Sequence, residues 1–517
     1  MLCGILISAA QAADESECPA SIFNQTANLP TCPEGALVPE TYPVGAIVVS
    51  DIGYAGPESG FAAEVVTKSL MAAGENNPLI ILPVTDNTMD RVRSRIDELP
   101  ISETLKQKYK KSLVQIKTGS FTWQQDYMQP FTDPKTGKII LREVDRYAKI
   151  AGRGRLESSV KDIVSLGKAC GFTQGPPLTT SGEELPSGAF GGNIETLPAG
   201  ICLLGDDNFK KPEAWEEYAN QVCSPDPANR IQVPTSWLAV GHTDEVMKLV
   251  RNKNAQAPCD FSVAIASPNT ALEILRKNPK EPFLDFSGVR GVQTGSLTDD
   301  RINQNDKMVE LCKKVAALRQ NSQPNNSKNR PEGGVSKLFR FESLFFTHAQ
   351  AGGFLTGPSF DPKDCENMTN DEVYRVYSMD PALKVYNQLV QEKMDALKLD
   401  VTKKLKAKLP QCETDFIDFP NLFSGAVPVE VEPGKNQLPK GFGGSLLPNP
   451  TNAISVNDTV ISPNPSNASF KKFMQDEYSK RGLKSEFIDT YEYSHVKGGN
   501  LHCATNTFHI CKPRGAQ

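Results

Sequence analysis

From residue 46 onward this 517-residue chain alternates short apolar runs with amphipathic stretches at helical spacing, and no charge block or low-complexity tract interrupts the series. Strands are expected at 46–50, 79–84, 138–141, 201–204, 261–266, 415–419 and 487–489. Helices are expected at 61–73, 89–99, 103–116, 159–169, 271–277, 299–319, 382–405 and 469–481. A chain patterned this way must cover sheets with helices, which places it in the α/β class without choosing among α/β architectures. Length alone would allow roughly two to four domains. Three polar stretches rich in Pro, Gly or Asn stand out, at 179–192, 321–334 and 433–465. The second has the composition of an exposed linker, but candidate reactive residues lie on both sides of it, so it is read as a surface loop within one domain.

The first residues, MLCGILISAAQAADESEC, hold a short apolar run followed by Ala10-Gln11-Ala12, the small-x-small pattern of a cleaved secretory leader. A signal peptide is therefore expected at 1–12 and an N-terminal extension at 13–44. No later stretch approaches the roughly 20 apolar residues that span a bilayer, so no membrane partner is expected. The formal net charge of −5 leaves no electrostatic footprint for nucleic acid. Twelve cysteines are scattered without CxxC spacing. Setting aside Cys3 with the leader and Cys503 as a free thiol leaves ten, enough for five disulfides in an oxidising compartment. Asn-x-Ser/Thr sequons at Asn24, Asn325, Asn367, Asn457 and Asn467 point to the same secreted, extracellular route as a glycoprotein.

The chemistry-bearing residues are few. HExxH, GxSxG, GxxxxGK[ST] and GxGxxG are all absent, which removes the main support for zinc, serine-hydrolase and nucleotide-binding readings. What remains is His502-Cys503 near the C-terminus, the Trp123–Met128 segment, and Trp237-Leu238-Ala239-Val240-Gly241-His242-Thr243-Asp244-Glu245. If 237–244 is extended, His242 and Asp244 share one face and converge on one substrate atom. A thiolate is the strongest common side-chain nucleophile, and a histidine in reach can activate it and return the proton to a leaving group. Two buried aspartates repel unless a cation lies between them, and a planar guanidinium satisfies both. Each residue also has an ordinary reading: His242 as a hydrogen-bonded core residue, Cys503 as a disulfide half with Cys511, Trp123 as core, Asp126 and Asp244 as caps or solvated charges.

Trp237-Leu-x-Val-Gly-His-x-Asp-Glu245, Trp123-x-Gln-Asp-x-Met128 and His502-Cys-x-Thr-Asn506 resemble, in the same order, motifs of the protein-arginine deiminases. Lesser similarities at 190–195 and 417–423 extend the resemblance from about residue 45 to the C-terminus. It implies a catalytic domain at 45–517 with a pentein fold, an α/β propeller of five ββαβ units around a pseudo-fivefold axis. Only about 45 residues precede it here, so the two immunoglobulin-like domains of vertebrate members are not expected.

Carried over, the resemblance makes Cys503 the nucleophile that attacks the guanidinium carbon of arginine. His242 would protonate the departing ammonia and activate water, and Asp126 and Asp244 would hold the guanidinium nitrogens. Trp123 would pack on the substrate stem, and the products would be citrulline and ammonia. The family has Gln-Asp-Glu-Met-Glu where this chain has Gln125-Asp126-Tyr127-Met128-Gln129, so two carboxylates that serve its calcium sites are replaced. Gln125 and Glu195 still match ligand positions. No cofactor is expected to be required, and calcium binding should be weak or absent. Arg153 and Arg155 lie near the family arginine that contacts the substrate backbone, but neither can be assigned to it.

Substrates are expected to be arginine-containing proteins or peptides. A free-arginine deiminase or amidinotransferase of the same fold, or a silent secreted binding protein, stand as alternatives. A papain-like protease would need its cysteine ahead of the histidine, the reverse of the order here.

Overall fold

A computed structural model describes residues 18–24, 29–33, 37–50, 60–116, 123–144, 155–180, 191–206, 211–285, 306–322, 367–425, 438, 440–441, 443–491, 494–495 and 498–515. The expected leader, Arg153, the sequon at Asn325, Cys365 and stretch 323–334 fall outside these.

The first unit begins with β1 (Val44–Val49), whose six residues are all buried, as in a strand covered on both faces. Helix α1 (Phe61–Ala73) follows, and its buried Phe61, Val65, Val66, Leu70 and Ala73 lie on that sheet. Strand β2 (Leu79–Leu82), helices α2 (Asp86–Asp97) and α3 (Glu103–Lys111) and strand β3 (Leu113–Gln115) complete it. Thr85 and Ser102 start these two helices by accepting the backbone N–H of Thr88 and Leu105. The helix expected through 116 therefore stops at Lys111, and its apolar tail joins the sheet beside β2 instead.

The later units repeat one topology, an antiparallel hairpin whose second strand pairs in parallel with a third strand reached through helix. They are β4 (Met128–Thr132), β5 (Ile139–Glu143), α4 (Arg155–Leu166) and β6 (Thr173–Gln174), then β7 (Ile194–Leu197), β8 (Ile201–Gly205), α5 (Pro212–Val222) and β9 (Arg230–Val233). The next has β10 (Met247–Arg251), β11 (Phe261–Ser267), helices α6 (Pro268–Lys277), α7 (Asp306–Ser322), α8 (Asn370–Met379) and α9 (Pro381–Lys408), and β12 (Phe416–Pro420). A two-stranded ribbon, β13 (Phe423–Gly425) and β14 (Gly443–Ser445), precedes the last unit. That unit comprises β15 (Ile454–Val456), β16 (Thr459–Pro463), α10 (Ala468–Lys480) and β17 (Lys484–Ile488). Finally β18 (Thr505–His509) pairs antiparallel with β1 and gives the first unit its missing outer strand. The described residues are thus α/β, with four ββαβ units and a fifth, built on β18, β1 and β2, that carries β3 as an additional strand.

Hydrogen bonds link each unit to the next. Asn506 Nδ2 donates to Met128 O (3.0 Å), and Gly191 N to Gln125 O (3.2 Å). Thr243 Oγ1 donates to Asn193 O (3.2 Å), Thr451 Oγ1 to Asp244 O (2.9 Å), and His502 N to Asn452 O (3.2 Å).

One sequence expectation fails here, the surface sequon at Asn467, and one polar stretch conceals strands. The polar stretch 433–465 carries the buried strands β14, β15 and β16, because its asparagines are consumed internally: Asn449 and Asn452 are 1% exposed. Asn467 is also 1% exposed, caps α10 through Phe470 N, and donates to Phe283 O and Asn370 Oδ1, so this sequon is a structural asparagine and not a surface acceptor. Asn367 is exposed and Asn457 half-buried.

Four disulfides join Cys18–Cys170, Cys32–Cys511, Cys202–Cys223 and Cys259–Cys412, and Cys312 is also disulfide-bonded. Cys503 is a buried free thiol, which removes the Cys503–Cys511 alternative. The described part of the extension is fastened to the body by Cys18 and Cys32. Between Cys32 and β1 the chain runs along the C-terminal strand, where His509 Nδ1 lies 2.8 Å from Tyr42 O and Ile510 N donates to Pro43 O (2.9 Å). No helix among the described residues is long and apolar enough to cross a membrane.

Candidate active site

Cys503 sits on the turn that leads into β18, and Asn452, just ahead of β15, holds it from three sides. Asn452 Nδ2 donates to Cys503 Sγ (3.1 Å), while its Oδ1 accepts the backbone N–H groups of His502 (2.8 Å) and Cys503 (3.3 Å). An amide that fixes both main chain and sulfur leaves the thiol little rotamer freedom.

His242 and Asp244 are not on a strand. Residues 237–242 form a turn in which Leu238 bridges Gly443, and Thr243–Glu245 is a single 3-10 turn. The apolar run buries because Trp237 packs edge-on against Phe423 and Tyr386, so its hydrophobicity reports core contact and not extended backbone. The two residues converge all the same: ligand atoms of His242, Asp244 and Cys503 lie within 4.8 Å of one another. Tight packing enforces this, since a Cβ on Gly192 would fall 2.7 Å from His242 Nδ1 and 3.0 Å from Asp244 Oδ2. Glu245 Oε1 accepts His242 N (3.0 Å). Burial, against the pull of that N–H and reinforced by Asp244, raises the Glu245 carboxyl to about 8.

Asp244 is fully buried. Its Oδ2 lies 2.8 Å from His502 Nδ1 and accepts from Cys503 Sγ at 3.6 Å. Its Oδ1 has no hydrogen-bond partner among the described residues. A buried carboxylate oxygen left open beside a thiol is a strong acceptor waiting for a donor. Asp126 is 8% exposed on the turn before β4, with its N–H given to Trp123 O. Burial, then Asp244, Asp126 and Glu245 together push the Cys503 thiol well above its ordinary range. Negative potential therefore surrounds the sulfur, and a bound cation would relieve it. Trp123 is half-buried against the nucleophile turn, where a Cβ on Gly499 would meet its ring at 2.3 Å. The four expected reactive positions and Trp123 are thus brought together.

Sequence reading missed the layer behind them. His502, adjacent to the thiol, has Asp244 on Nδ1 and Glu40 Oε1 on Nε2, each at 2.8 Å, with Gln125 Nε2 at 3.0 and 2.7 Å from the two nitrogens. Burial and Lys248 press its pKa down, but Glu40 and Asp244 prevail and raise it to about 9. Glu40 is ion-paired with Lys248, a fully buried residue of β10. Burial raises the Glu40 carboxyl, but Lys248 and His502 more than offset this and hold it well below the usual range. Burial and the charge of Glu40 push Glu195 the other way, to about 8. Glu40 carried no signal because its segment shares no recognisable motif, and Lys248 looks like any surface lysine of a strand.

Calcium, which the family resemblance implies near Gln125 and Glu195, can be tested against these groups. Gln125 Oε1 and Glu195 Oε1 are buried without a hydrogen-bond partner among the described residues, as ligand oxygens would be. They face a cavity of about 50 Å³ that Glu40 and His502 also line. Calcium, however, takes six to eight oxygens. Here Glu195 is pushed toward its neutral form and Glu40, although its carboxylate lies within 4.8 Å of Glu195 and His502, is already engaged by Lys248 and His502. The residues present do not fit calcium.

A buried thiol, an imidazole and two carboxylates around an unfilled acceptor are equipment for covalent attack on a planar cationic carbon. The chain matches the family model for protein-arginine deiminase (PAD) over residues 104–329 and 346–512, and it belongs to that family. It is 24% identical over 146 residues to human protein-arginine deiminase type-4, a match covering 26% of this chain and 20% of that protein, so it spans about a fifth of the length of that relative. Solved agmatine deiminases are among the structures it is similar to. One from C. jejuni gives a TM-score of 0.44 at 9% identity, covering 92% of this chain and 97% of that one. One from Enterococcus faecalis gives 0.43 at 12% identity, covering 95% and 98%.

Proposed function

We propose that this protein hydrolyses the guanidinium group of arginine in proteins or peptides to citrulline and ammonia, in a secretory or extracellular setting and without a required cofactor. The carrying observation is Asp244, whose open Oδ1 lies in the same carboxylate that touches Cys503 Sγ. A guanidinium N–H fits that oxygen, and Asp126 supplies the second carboxylate, so the central carbon is presented to sulfur. The substrate cation offsets the negative potential that keeps the thiol protonated, and the thiol proton passes to His242. Sulfur then bonds to the guanidinium carbon, and His242 returns a proton as ammonia departs. The thiouronium left on Cys503 is hydrolysed by water that His242 deprotonates, which frees citrulline and the thiol. Trp123 flanks the substrate stem.

The circuit of hydrogen bonds from unit to unit and back supports reading the five units as a propeller about a central axis with this site at its centre. Disulfides at nine cysteines and the exposed sequon at Asn367 support an oxidising compartment.

Incubating the protein with a peptide bearing one arginine should raise the peptide mass by about one dalton, and Cys503→Ala should abolish this while keeping the fold. Full activity in Cys503→Ala would refute the mechanism. Conversion of free arginine but not of the peptide would move the substrate to the small guanidines, and no conversion of either would favour a silent binding protein.

A further inference from the structure

In the chamber behind the nucleophile, groups from four separate parts of the chain meet: Glu40 from the N-terminal segment, Gln125 from the turn before β4, Glu195 from β7 and Lys248 from β10, all around His502. Burying a lysine here is costly unless its charge has a purpose and a partner. The partner is Glu40, whose other oxygen lies 2.8 Å from His502 Nε2, while the opposite ring nitrogen lies 2.8 Å from Asp244. A continuous line therefore runs Lys248, Glu40, His502, Asp244, and ends beside the sulfur.

We propose that Lys248 is the resident cation of this chamber, in the role a divalent metal would otherwise take, and that with Glu40 it positions His502 and through it Asp244, so that the reactive geometry forms without calcium. Three observations support this. Lys248 supplies the positive charge paired with Glu40, which lines one cavity with the two unfilled oxygens, Gln125 Oε1 and Glu195 Oε1. Each end of the His502 ring is held by a carboxylate, so the ring cannot turn without breaking one contact. Since Oδ2 of Asp244 is committed to His502, its Oδ1 is the oxygen left to the substrate. Lys248 and Glu40 are positioning residues, acting only through His502.

Glu40 also depends on the N-terminal segment. Cys32 is disulfide-bonded to Cys511, Cys32 N donates to Lys512 O (2.9 Å), and Tyr42 and Pro43 accept from the end of the C-terminal strand. The extension is thus a strap that delivers one carboxylate into the chamber.

The first test is independent of any reaction. The melting temperature of the wild-type protein, measured in chelator and in millimolar calcium, should coincide; a saturable rise with calcium would overturn the proposal. The second rests on the activity proposed above. Lys248→Met and the isosteric Glu40→Gln should each lower kcat by about 10²-fold while KM moves by less than about threefold, since the loss is of alignment and not of substrate contact. Glu40→Asp, which retains charge, should recover part of that loss. Wild-type kcat in both Lys248→Met and Glu40→Gln would overturn the positioning role. If Lys248→Met does not fold, Glu40→Gln decides alone. A wild-type protein inactive on every arginine substrate would sink the proposed reaction and leave the calcium measurement to decide the cation.

Discussion

Gly192→Ala tests the site at the point where it is most crowded. The added methyl would fall 2.7 Å from His242 Nδ1, 3.0 Å from Asp244 Oδ2 and 3.1 Å from Gln125 Oε1. Ordinary contact begins at 3.4 Å, so the imidazole must retreat by about 0.7 Å or the backbone must shift by as much. Overpacking of this kind costs about 1–3 kcal/mol of stability. The catalytic effect should exceed the stability effect, because a displacement near 1 Å can cost about 10²-fold in rate. We expect kcat/KM to fall between about tenfold and 10²-fold, with the folded state retained. The assay is ammonia release from an arginine peptide, run beside urea unfolding. A variant within about twofold of wild type in kcat/KM would show that His242 and Asp244 are not held against Gly192 as described.

Other outcomes follow from the same geometry. Asn452→Ala removes the donor to Sγ and the acceptor for two buried N–H groups; urea unfolding should show a loss of about 1–3 kcal/mol, and kcat should drop. Trp123→Ala should raise KM for peptide substrates more than it lowers kcat, as steady-state kinetics would show. Thermal stability should fall as pH rises from about 6.5 to 9. Over that span the folded state loses the proton on His502 (about 9) and those on Glu195 and Glu245 (about 8), which it holds more tightly than the unfolded chain does. The downward shifts of His495 and His509 act only below about 6.5, and the depressed Glu40 only in acid, so neither opposes the trend. A melting temperature that climbed from pH 6.5 to 9 would contradict these assignments. Cys32→Ser should lower kcat more than Cys18→Ser does, because the Cys32–Cys511 bond is the disulfide nearer to Glu40 along the chain.

Helices were the most legible part of the chain. Helix α1 matches its expected bounds, and α6, α9 and α10 start one to three residues before theirs, because amphipathic periodicity over ten or more residues is a strong signal. The strands were half hidden. β4 reads MQPFT and β7 reads IETL, and both escaped notice because Gln129 and Glu195 break the apolar pattern in the very strands that line the polar chamber. β15 and β16 were masked by a neighbourhood of Pro and Asn. In the site, Cys503, His242, Asp244, Asp126 and Trp123 were legible through motif, although the reason given for pairing His242 with Asp244, a shared strand face, was the wrong one. Asn452, Glu40 and Lys248 were not legible at all. Each is a lone polar residue whose role exists only once distant segments meet, and no local pattern records that.

The antiparallel pairing of β18 with β1 makes the order of synthesis matter. The thiol and the strand that seats it are made long after β1, the strand they must pair with. Until residues 502–509 have emerged and reached β1, Glu40 has no His502, Asp244 has no thiol beside it, and the first unit lacks its outer strand. A partly made chain therefore lacks the assembled site, which forms only when β18 joins β1.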